Sequence, residues 1–292
     1  PSGGFFISAM TASVLNHDLS GDFERLLTLV MQLVESQAGQ QIPVDQLWMN
    51  DAQVLGKKFC YHVASLRLIA QPVQIDIAGY GADLHIDHSS VMILARAALE
   101  TYLTFAYIYG SKDVEVRQFR HMIWRRAGLL DRQAYPARAP EHQQKLADEK
   151  TRIDQLQIEI EAHGVWQQYS EPMRKKVLKG EWRAGQSWID TGIAAGFHPV
   201  YIRQIYSFLC GYAHSSWLSI LQIRDAQALC DQEAMAARFV SVALVFMSFF
   251  ATSYVALFPQ AEAVLASNTE AANLAQRWHL TADRQSALYG TT

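Results

Sequence analysis

Apolar residues recur every three or four positions along most of the chain, which is the period of an α-helix. In residues 22–36, Leu26, Val30, Leu33 and Val34 fall on one helical face, with Asp22 as the predicted N-cap. The sequence contains no alternating apolar runs bounded by Asn-Gly or Asp-Gly turns. The pattern therefore predicts an all-α fold, a helical bundle with an appended amphipathic helical arm.

Glycine and proline mark where these helices are expected to end. Residues 72–84 are the least helical segment, because Pro72, Gly79 and Gly81 interrupt them. They are predicted to be a connection, with or without a brief strand. The predicted helices cover 22–36, 44–70 (as one or two helices), 87–110, 114–134, 141–164, 186–196, 199–216 and about 225–258.

Three parts follow from this order of elements. Residues 1–84 are expected to supply N-terminal helices that pack on the core. Residues 85–258 are expected to form the helical core with a polar centre, and residues 259–292 a C-terminal helical tail.

The segment 141–164 is the most polar of the predicted helices. Its apolar residues have heptad-like spacing, namely Leu146, Ile153, Leu156 and Ile160. It is predicted to be either an amphipathic arm or one partner of a coiled-coil hairpin. A homodimer or a protein partner would be bound through this segment.

One stretch is apolar enough to raise the question of a membrane. No charged residue lies between Arg238 and Glu262, and at ~1.5 Å per residue this stretch could cross a bilayer. Serine, threonine and tyrosine side chains interrupt it, however, and other helices of the chain are almost as apolar. We therefore expect the central helix of a soluble bundle and no stable membrane insertion.

Cysteine usage and the first residues bear on the compartment. Cys60, Cys210 and Cys230 form no Cys-x-x-Cys pair, which is typical of free thiols in a reducing environment. The first residues contain no basic region ahead of their short apolar stretch, unlike a signal peptide. The expected localisation is cytoplasmic.

Charge limits the classes of partner. With 18% charged residues and a formal net charge of −3, the chain is not built to bind polyanions over its whole surface. A local basic patch remains possible in 114–134, where Arg117, His121, Trp124 and Arg125 fall near one side of a helix. Arginine can hold phosphate and an aromatic ring can stack on a base, so these four are the predicted nucleic-acid-binding residues. A solvated charged face is the alternative.

A polar centre is predicted inside the apolar core. Arg96 and Glu100 are the only charged residues between Asp87 and Lys112, and they are four residues apart. Burying two opposite charges costs several kcal/mol per ion unless further hydrogen bonds satisfy them. We therefore expect the pair to be mostly buried and to have partners on another helix.

The helix 199–216 offers those partners. Tyr206, Cys210 and His214 are four residues apart and climb one side of the helix, and Arg203 lies on the same strip. The centre either fixes the register of the helices or carries chemistry. Histidine suits the second role because it changes protonation near neutral pH.

Two stretches resemble a known family. "LARAALETYL", which contains Arg96 and Glu100, and "WRAGQSWIDTGIAAGFHPVYIRQIYSFLCGYAHSS", which contains Tyr206 and His214, resemble a bacterial all-helical family of unknown function. The resemblance covers residues ~85–258, with Cys210 where that family usually has serine. The family is distantly similar to HEPN domains, many of which are dimeric, metal-independent ribonucleases of toxin–antitoxin and phage-defence systems.

The resemblance implies a role for each candidate catalytic residue. His214 would act as general base or general acid on RNA, and Arg96 or Arg203 would stabilise charge on the phosphorus, beside Glu100 and Tyr206. Ten residues separate Arg203 from His214, a longer spacing than HEPN domains have. The implied function is action on RNA or a nucleotide in stress or defence. A non-catalytic interaction module with a structural polar centre is the alternative.

A metal or cofactor is not expected. The segment "DLHIDH" (83–88) combines two aspartates with two histidines, but a helix begins there at once and Asp87 is its predicted N-cap. The sequence contains no P-loop and no Gly-x-Gly-x-x-Gly motif.

Overall fold

The structure, a computed structural model, describes residues 18–79 and 81–289. It is all-α, as predicted, and its one sheet in the described residues has two strands. The helices are α1 Leu19–Glu35, α2 Asn50–Ile69, α3 His88–Tyr109, α4 Val114–Gln133, α5 Pro140–Ala162, α6 Gly164–Gln168, α7 Glu171–Leu178, α8 Trp188–Ala194, α9 Pro199–Ala213, α10 Trp217–Asp225, α11 Leu229–Leu257, α12 Glu262–Ser267, α13 Thr269–Trp278 and α14 Ala282–Tyr289. The strands are β1 Val73–Ile77 and β2 Gly81–His85, and 3-10 turns cover Val44–Met49 and Pro259–Ala261.

The chain divides into two compact units. One contains the described part of residues 1–42 together with 50–102 and 196–292, and the other contains 43–49 and 103–195. Helix α3 contributes to both. The sequence analysis placed its part boundaries after residues 84 and 258, and the first unit contains residues on both sides of each boundary. The division into three parts stays a prediction.

In the first unit, the long helix α11 is the central element and packs against α1, α2 and α13. The rings of Phe59 on α2 and Phe250 on α11 stack with their centres 4.5 Å apart. Gly56 permits this approach, since a Cβ there would lie 3.2 Å from the Phe250 ring and 3.0 Å from Val34. The close packing explains why the sequence of α11 is apolar on all sides.

Within the part of the chain that the structure describes, two helices, α3 and α11, are long and apolar enough to span a membrane by length and composition. In the 18-residue apolar stretch of each helix, 67% of α3 and 72% of α11 is buried inside the protein. Such burial is typical of core helices in a soluble protein, as the sequence analysis expected for 239–261.

The start of α1 differs from the prediction. Asp18, not Asp22, is the N-cap, and its carboxylate accepts a hydrogen bond from the Gly21 backbone N–H at 3.0 Å. Asp22 is buried and accepts hydrogen bonds from Arg277 at 2.6 Å and from the Trp278 indole at 3.2 Å. The sequence pattern places a carboxylate at the helix start, but only the docking of α13 shows which of the two aspartates has that role.

Residues 72–84 contain more order than predicted. They form an antiparallel hairpin in which Ile75 lies opposite Asp83. The predicted N-cap of the next helix is confirmed, because Asp87 accepts a hydrogen bond from the Ser90 N–H at 2.9 Å.

In the second unit, α4 and α5 pack as an antiparallel hairpin. The contact between the Glu115 carboxylate and Nε2 of His163 (3.3 Å) lies near one end, and the ion pair between Arg132 and Glu149 (2.8 Å) lies near the other. The apolar positions of α5 that are buried are Ile153, Leu156 and Ile160. Of the two alternatives for 141–164, the structure therefore shows the hairpin partner.

Candidate functional site

Four of the predicted site residues meet within the first unit, where α3 and α9 lie side by side. Arg96 donates from Nε to Oε1 of Glu100 at 2.9 Å, one helical turn away on α3. The Tyr206 hydroxyl on α9 donates to the same oxygen at 3.0 Å. Nη1 of Arg96 lies 3.1 Å from Nε2 of His214. The spacing in sequence thus correctly predicts that the pair on α3 has partners on the later helix.

The end of α9 places His214. The helix was expected to continue one turn past this residue, but it ends at Ala213 and His214 is the C-cap. Ser215 adopts a left-handed conformation with φ 51°, and the Ser216 N–H bonds back to the Gly211 carbonyl at 2.8 Å. This is a Schellman-type ending, which turns the chain at once into α10. No glycine marks it, which explains why the sequence pattern missed the stop.

The charged pair of the centre is mostly buried, as predicted, whereas His214 is exposed. The side chain of Arg96 is 19% exposed and that of Glu100 is 28% exposed, and His214 lies in contact with solvent. The pair therefore lies at the boundary between core and solvent. A ligand can reach the imidazole and the guanidinium from outside.

Electrostatics keep Arg96 charged and Tyr206 neutral. Partial burial lowers the pKa of Arg96, but the hydrogen bond and the negative charge of Glu100 outweigh burial and raise it. Burial and then the Glu100 charge raise the pKa of Tyr206 far above the ordinary value of 10.0. Tyr206 is therefore a permanent hydrogen-bond donor to Glu100 near neutral pH.

Arg96 has donors left over. Its Nη2 group makes no hydrogen bond to any residue in the described part of the chain. Because an arginine only donates, Nε2 of His214 can hydrogen-bond to Arg96 only as the acceptor. The centre offers one fixed cation and one potential proton acceptor side by side.

Arg203 does not join the cluster. Its side chain is exposed and forms no hydrogen bond or ion pair with the described residues, although it lies on the same face of α9 as His214. Cys210 lies between them on this face, half-buried, and shares a hydrogen bond with Tyr206.

The four predicted nucleic-acid-binding residues lie on α4, in the second unit. His121 is only 4% exposed and packs with Trp124, with ring centres 6.0 Å apart. Arg125 is exposed, whereas Arg117 is half-buried. The structure does not bring these residues to one exposed surface, because the stripe that joins them on a helical wheel turns partly into the core.

The sequence analysis missed Trp217. This residue is 74% exposed in the first turn of α10, three positions after His214. Ser216 is the N-cap of that helix and accepts a hydrogen bond from the Ser219 N–H at 3.3 Å. The available signal was a serine followed by an aromatic directly after the candidate histidine.

A comparison with family models matches the part of the chain that holds this centre. Residues 84–228 match DUF5677, a family of unknown function. The match covers just under half of the chain and ends before α11, so it is shorter than the expected resemblance over ~85–258. Arg96, Glu100, Tyr206 and His214 all lie within the match to DUF5677. Comparisons with curated proteins and with solved structures give no match.

Metal-ligating groups are not clustered in the structure. Among residues 18–79 and 81–289, no three His, Cys, Asp or Glu side chains are arranged to hold a metal ion. In the "DLHIDH" segment, His85 instead lies 3.7 Å from the carboxylate of Asp83, and Asp87 caps α3.

Proposed function

We propose that the protein acts on RNA as a metal-independent ribonuclease of HEPN-like type, in a cytoplasmic stress or defence role. The observation that carries the proposal is the pairing of Arg96 with an exposed histidine, His214, at 3.1 Å. The sequence resemblance to HEPN domains supports it, and all four residues of the centre lie within residues 84–228, which match DUF5677.

Each side chain has a distinct part in the proposed reaction. His214 accepts the proton of a ribose 2′-hydroxyl at Nε2 once the substrate displaces Arg96 from that nitrogen. The 2′-oxygen bonds to phosphorus while the bond from phosphorus to the 5′-oxygen breaks, leaving a 2′,3′-cyclic phosphate. The departing 5′-oxygen takes a proton from water, and the protonated His214 returns its proton to the hydroxide that is left. Arg96 donates to the phosphoryl oxygens, where negative charge increases.

Glu100 and Tyr206 act as positioning residues. Glu100 holds Nε of Arg96, and Nη2 has no hydrogen-bond partner among the described residues. Tyr206 fixes Glu100 from the neighbouring helix. Restricting the guanidinium in this way lowers the cost of ordering it when a phosphate binds.

Incubation of purified protein with mixed RNA in the presence of a chelator tests the proposal. Wild-type protein should cleave RNA, and His214→Ala and Arg96→Ala should each lose about 100-fold or more in rate. His142→Ala, which changes an exposed histidine on α5, should cleave like wild type. Thermal melting of each variant shows whether it folds.

A non-catalytic interaction module is the second candidate function. It is favoured by Ile158 on α5, which is 64% exposed although its helix already packs on α4. In that case the centre on α3 and α9 only fixes helix register, and a protein partner binds through 141–164. Intact RNA after incubation with wild-type protein, together with a lower melting temperature for His214→Ala, would support the module and contradict the ribonuclease.

A further inference from the structure

The hairpin of β1 and β2 stands without a third strand. Its register places Gln74 opposite Leu84 and Ile75 opposite Asp83. Within residues 18–79 and 81–289, no other strand pairs with either of them. A two-stranded antiparallel sheet is at best marginally stable in water, and three or more strands are usually needed.

The outer edge of β1 has the properties of a pairing surface. Val73 and Ile75 share one face of the strand and are 46% and 44% exposed. In the described chain, the backbone groups on this edge have no hydrogen-bond partner beyond β2. Edge strands are usually protected by charged side chains, proline or a bulge. Residues 73–77 contain no proline or bulge, and their one charged side chain, Asp76, accepts a hydrogen bond from Gln74 of the same strand at 3.2 Å.

We propose that β1 pairs with β1 of a second copy of the chain, so that two hairpins form one four-stranded antiparallel sheet. A two-fold axis beside Ile75 places this residue opposite its own copy. The same register places Gln74 opposite the partner's Asp76, and Asp76 opposite the partner's Gln74. Apolar side chains then meet each other and each carboxylate meets an amide, so the strand is complementary to itself.

The alternative edge, that of β2, is not self-complementary. A two-fold axis through its centre places Asp83 opposite the partner's Asp83, and directly opposed like charges are destabilising. The chain beyond β2 is also occupied within the first unit, since the Ile86 N–H donates to the side chain of Gln232 at 2.8 Å. The geometry therefore selects β1. This interface is separate from the segment 141–164 and does not depend on the proposed ribonuclease activity.

Sedimentation velocity of the full chain over a range of concentrations tests the pairing. Wild-type protein should be a dimer that dissociates on dilution, and Ile75→Lys should be a monomer at the same concentrations, because two lysines would face each other at the axis. Leu84→Lys is the matched control. It places the same charge on the other strand of the hairpin, at a residue that is 52% exposed, and should leave the dimer intact.

A pair of variants at one position tests the register itself. Gln74→Lys places a lysine opposite the partner's Asp76 at two positions in the dimer. It should lower the dissociation constant of the dimer roughly 3- to 30-fold. Gln74→Glu opposes two carboxylates instead and should weaken it by a similar factor. The two changes alter the charge of each chain by one unit in opposite directions, and circular dichroism verifies that the fold is retained.

Several results would overturn the proposal. A wild-type chain that sediments as a monomer throughout would exclude the interface. A dimer that is unaffected by Ile75→Lys, or that responds to Gln74→Lys and Gln74→Glu in the same direction, would show that association uses another surface.

Discussion

Nη1 of Arg96 lies 3.1 Å from Nε2 of His214, although the two residues are 118 positions apart in the sequence. The contact joins α3 to the C-cap of α9. It turns an ordinary i to i+4 ion pair on one helix into a centre with a cation and an imidazole at the surface of the core.

Glu100 should couple to Tyr206 in stability. Because Glu100 is partly exposed, we expect Glu100→Gln to lower the free energy of unfolding by only about 1 kcal/mol, and Glu100→Ala by about 2 kcal/mol. This is less than the ~3 kcal/mol expected for a fully buried pair. Tyr206→Phe removes the hydroxyl donor and should cost about 1 kcal/mol. Urea unfolding of the single and double variants measures the coupling, and fully additive effects would show that the hydrogen bond contributes nothing.

Trp217 should contribute to RNA binding without contributing to the fold. An exposed aromatic ring beside the candidate histidine can stack on a base, which contributes about 1–3 kcal/mol per base. Trp217→Ala should therefore weaken the binding of single-stranded RNA roughly 5- to 150-fold and leave the melting temperature unchanged. Leu218→Ala, at an exposed neighbour on α10, is the control. Equal RNA affinity of Trp217→Ala and wild type, by fluorescence anisotropy, would refute this role.

Asp22 should anchor α13 to α1. Its buried carboxylate accepts hydrogen bonds from Arg277 and Trp278, and Asp22→Asn should lower the free energy of unfolding by about 2 kcal/mol. Glu270→Gln disrupts an exposed ion pair with Arg25 between the same two helices and should cost less than about 0.5 kcal/mol. Chemical denaturation of both variants makes the comparison. Equal losses would mean that burial of Asp22 has no energetic consequence.

Arg126 should hold the C-terminal end of α7 in the second unit. Its guanidinium donates to the Leu178 carbonyl at 3.1 Å and to the Gln157 side chain at 2.8 Å, and the residue is 5% exposed. Arg126→Met should cost about 2–3 kcal/mol, because these buried acceptors lose their donor. Arg125→Met, at the exposed neighbouring position, should change stability by less than about 0.5 kcal/mol. If the two variants have the same melting temperature, the hydrogen bonds of Arg126 to Leu178 and Gln157 do not stabilise the fold.

His279 should make the stability of the fold depend on pH. Burial, and then the nearby charge of Arg284, lower its pKa below the ordinary value of 6.5. The unfolded chain therefore binds more protons between the folded pKa and 6.5, and stability must fall as the pH decreases through that window. His279→Gln should flatten this dependence, whereas His142→Gln should not. Melting temperatures measured from pH 7 to pH 5 decide the matter, and an unchanged slope in His279→Gln would contradict the prediction.

Sequence periodicity was sufficient for the helices whose ends carry strong local signals. The positions of α3 and α4 agree with the prediction to within a residue at each end, because Asp87 and Asp113 cap their N-termini and Gly110 follows α3. Local backbone chemistry decides such ends. No distant contact is needed to specify them.

Local signals failed where two solutions were equally compatible with the same residues. Either Asp18 or Asp22 could cap α1, and only the docking of α13 assigns the second to an interhelical contact. Residues 72–84 could be a loop or a hairpin, since strand pairing depends on cross-strand neighbours. On a helical wheel of α4, His121 lies beside Arg125, but in the structure the His121 ring is buried in the core.

By itself, the sequence determined the all-α class, the boundaries of helices such as α3 and α4, and the fact that Arg96 and Glu100 need polar partners, because helical period and the cost of burying charge act locally. Only the tertiary structure decided that Tyr206 and His214 are those partners, that Arg203 is not, and that the centre is open to solvent. The reason is physical: which faces of two helices meet, and how deeply, depends on the packing of the whole core, here around α11, and no single helix contains that information.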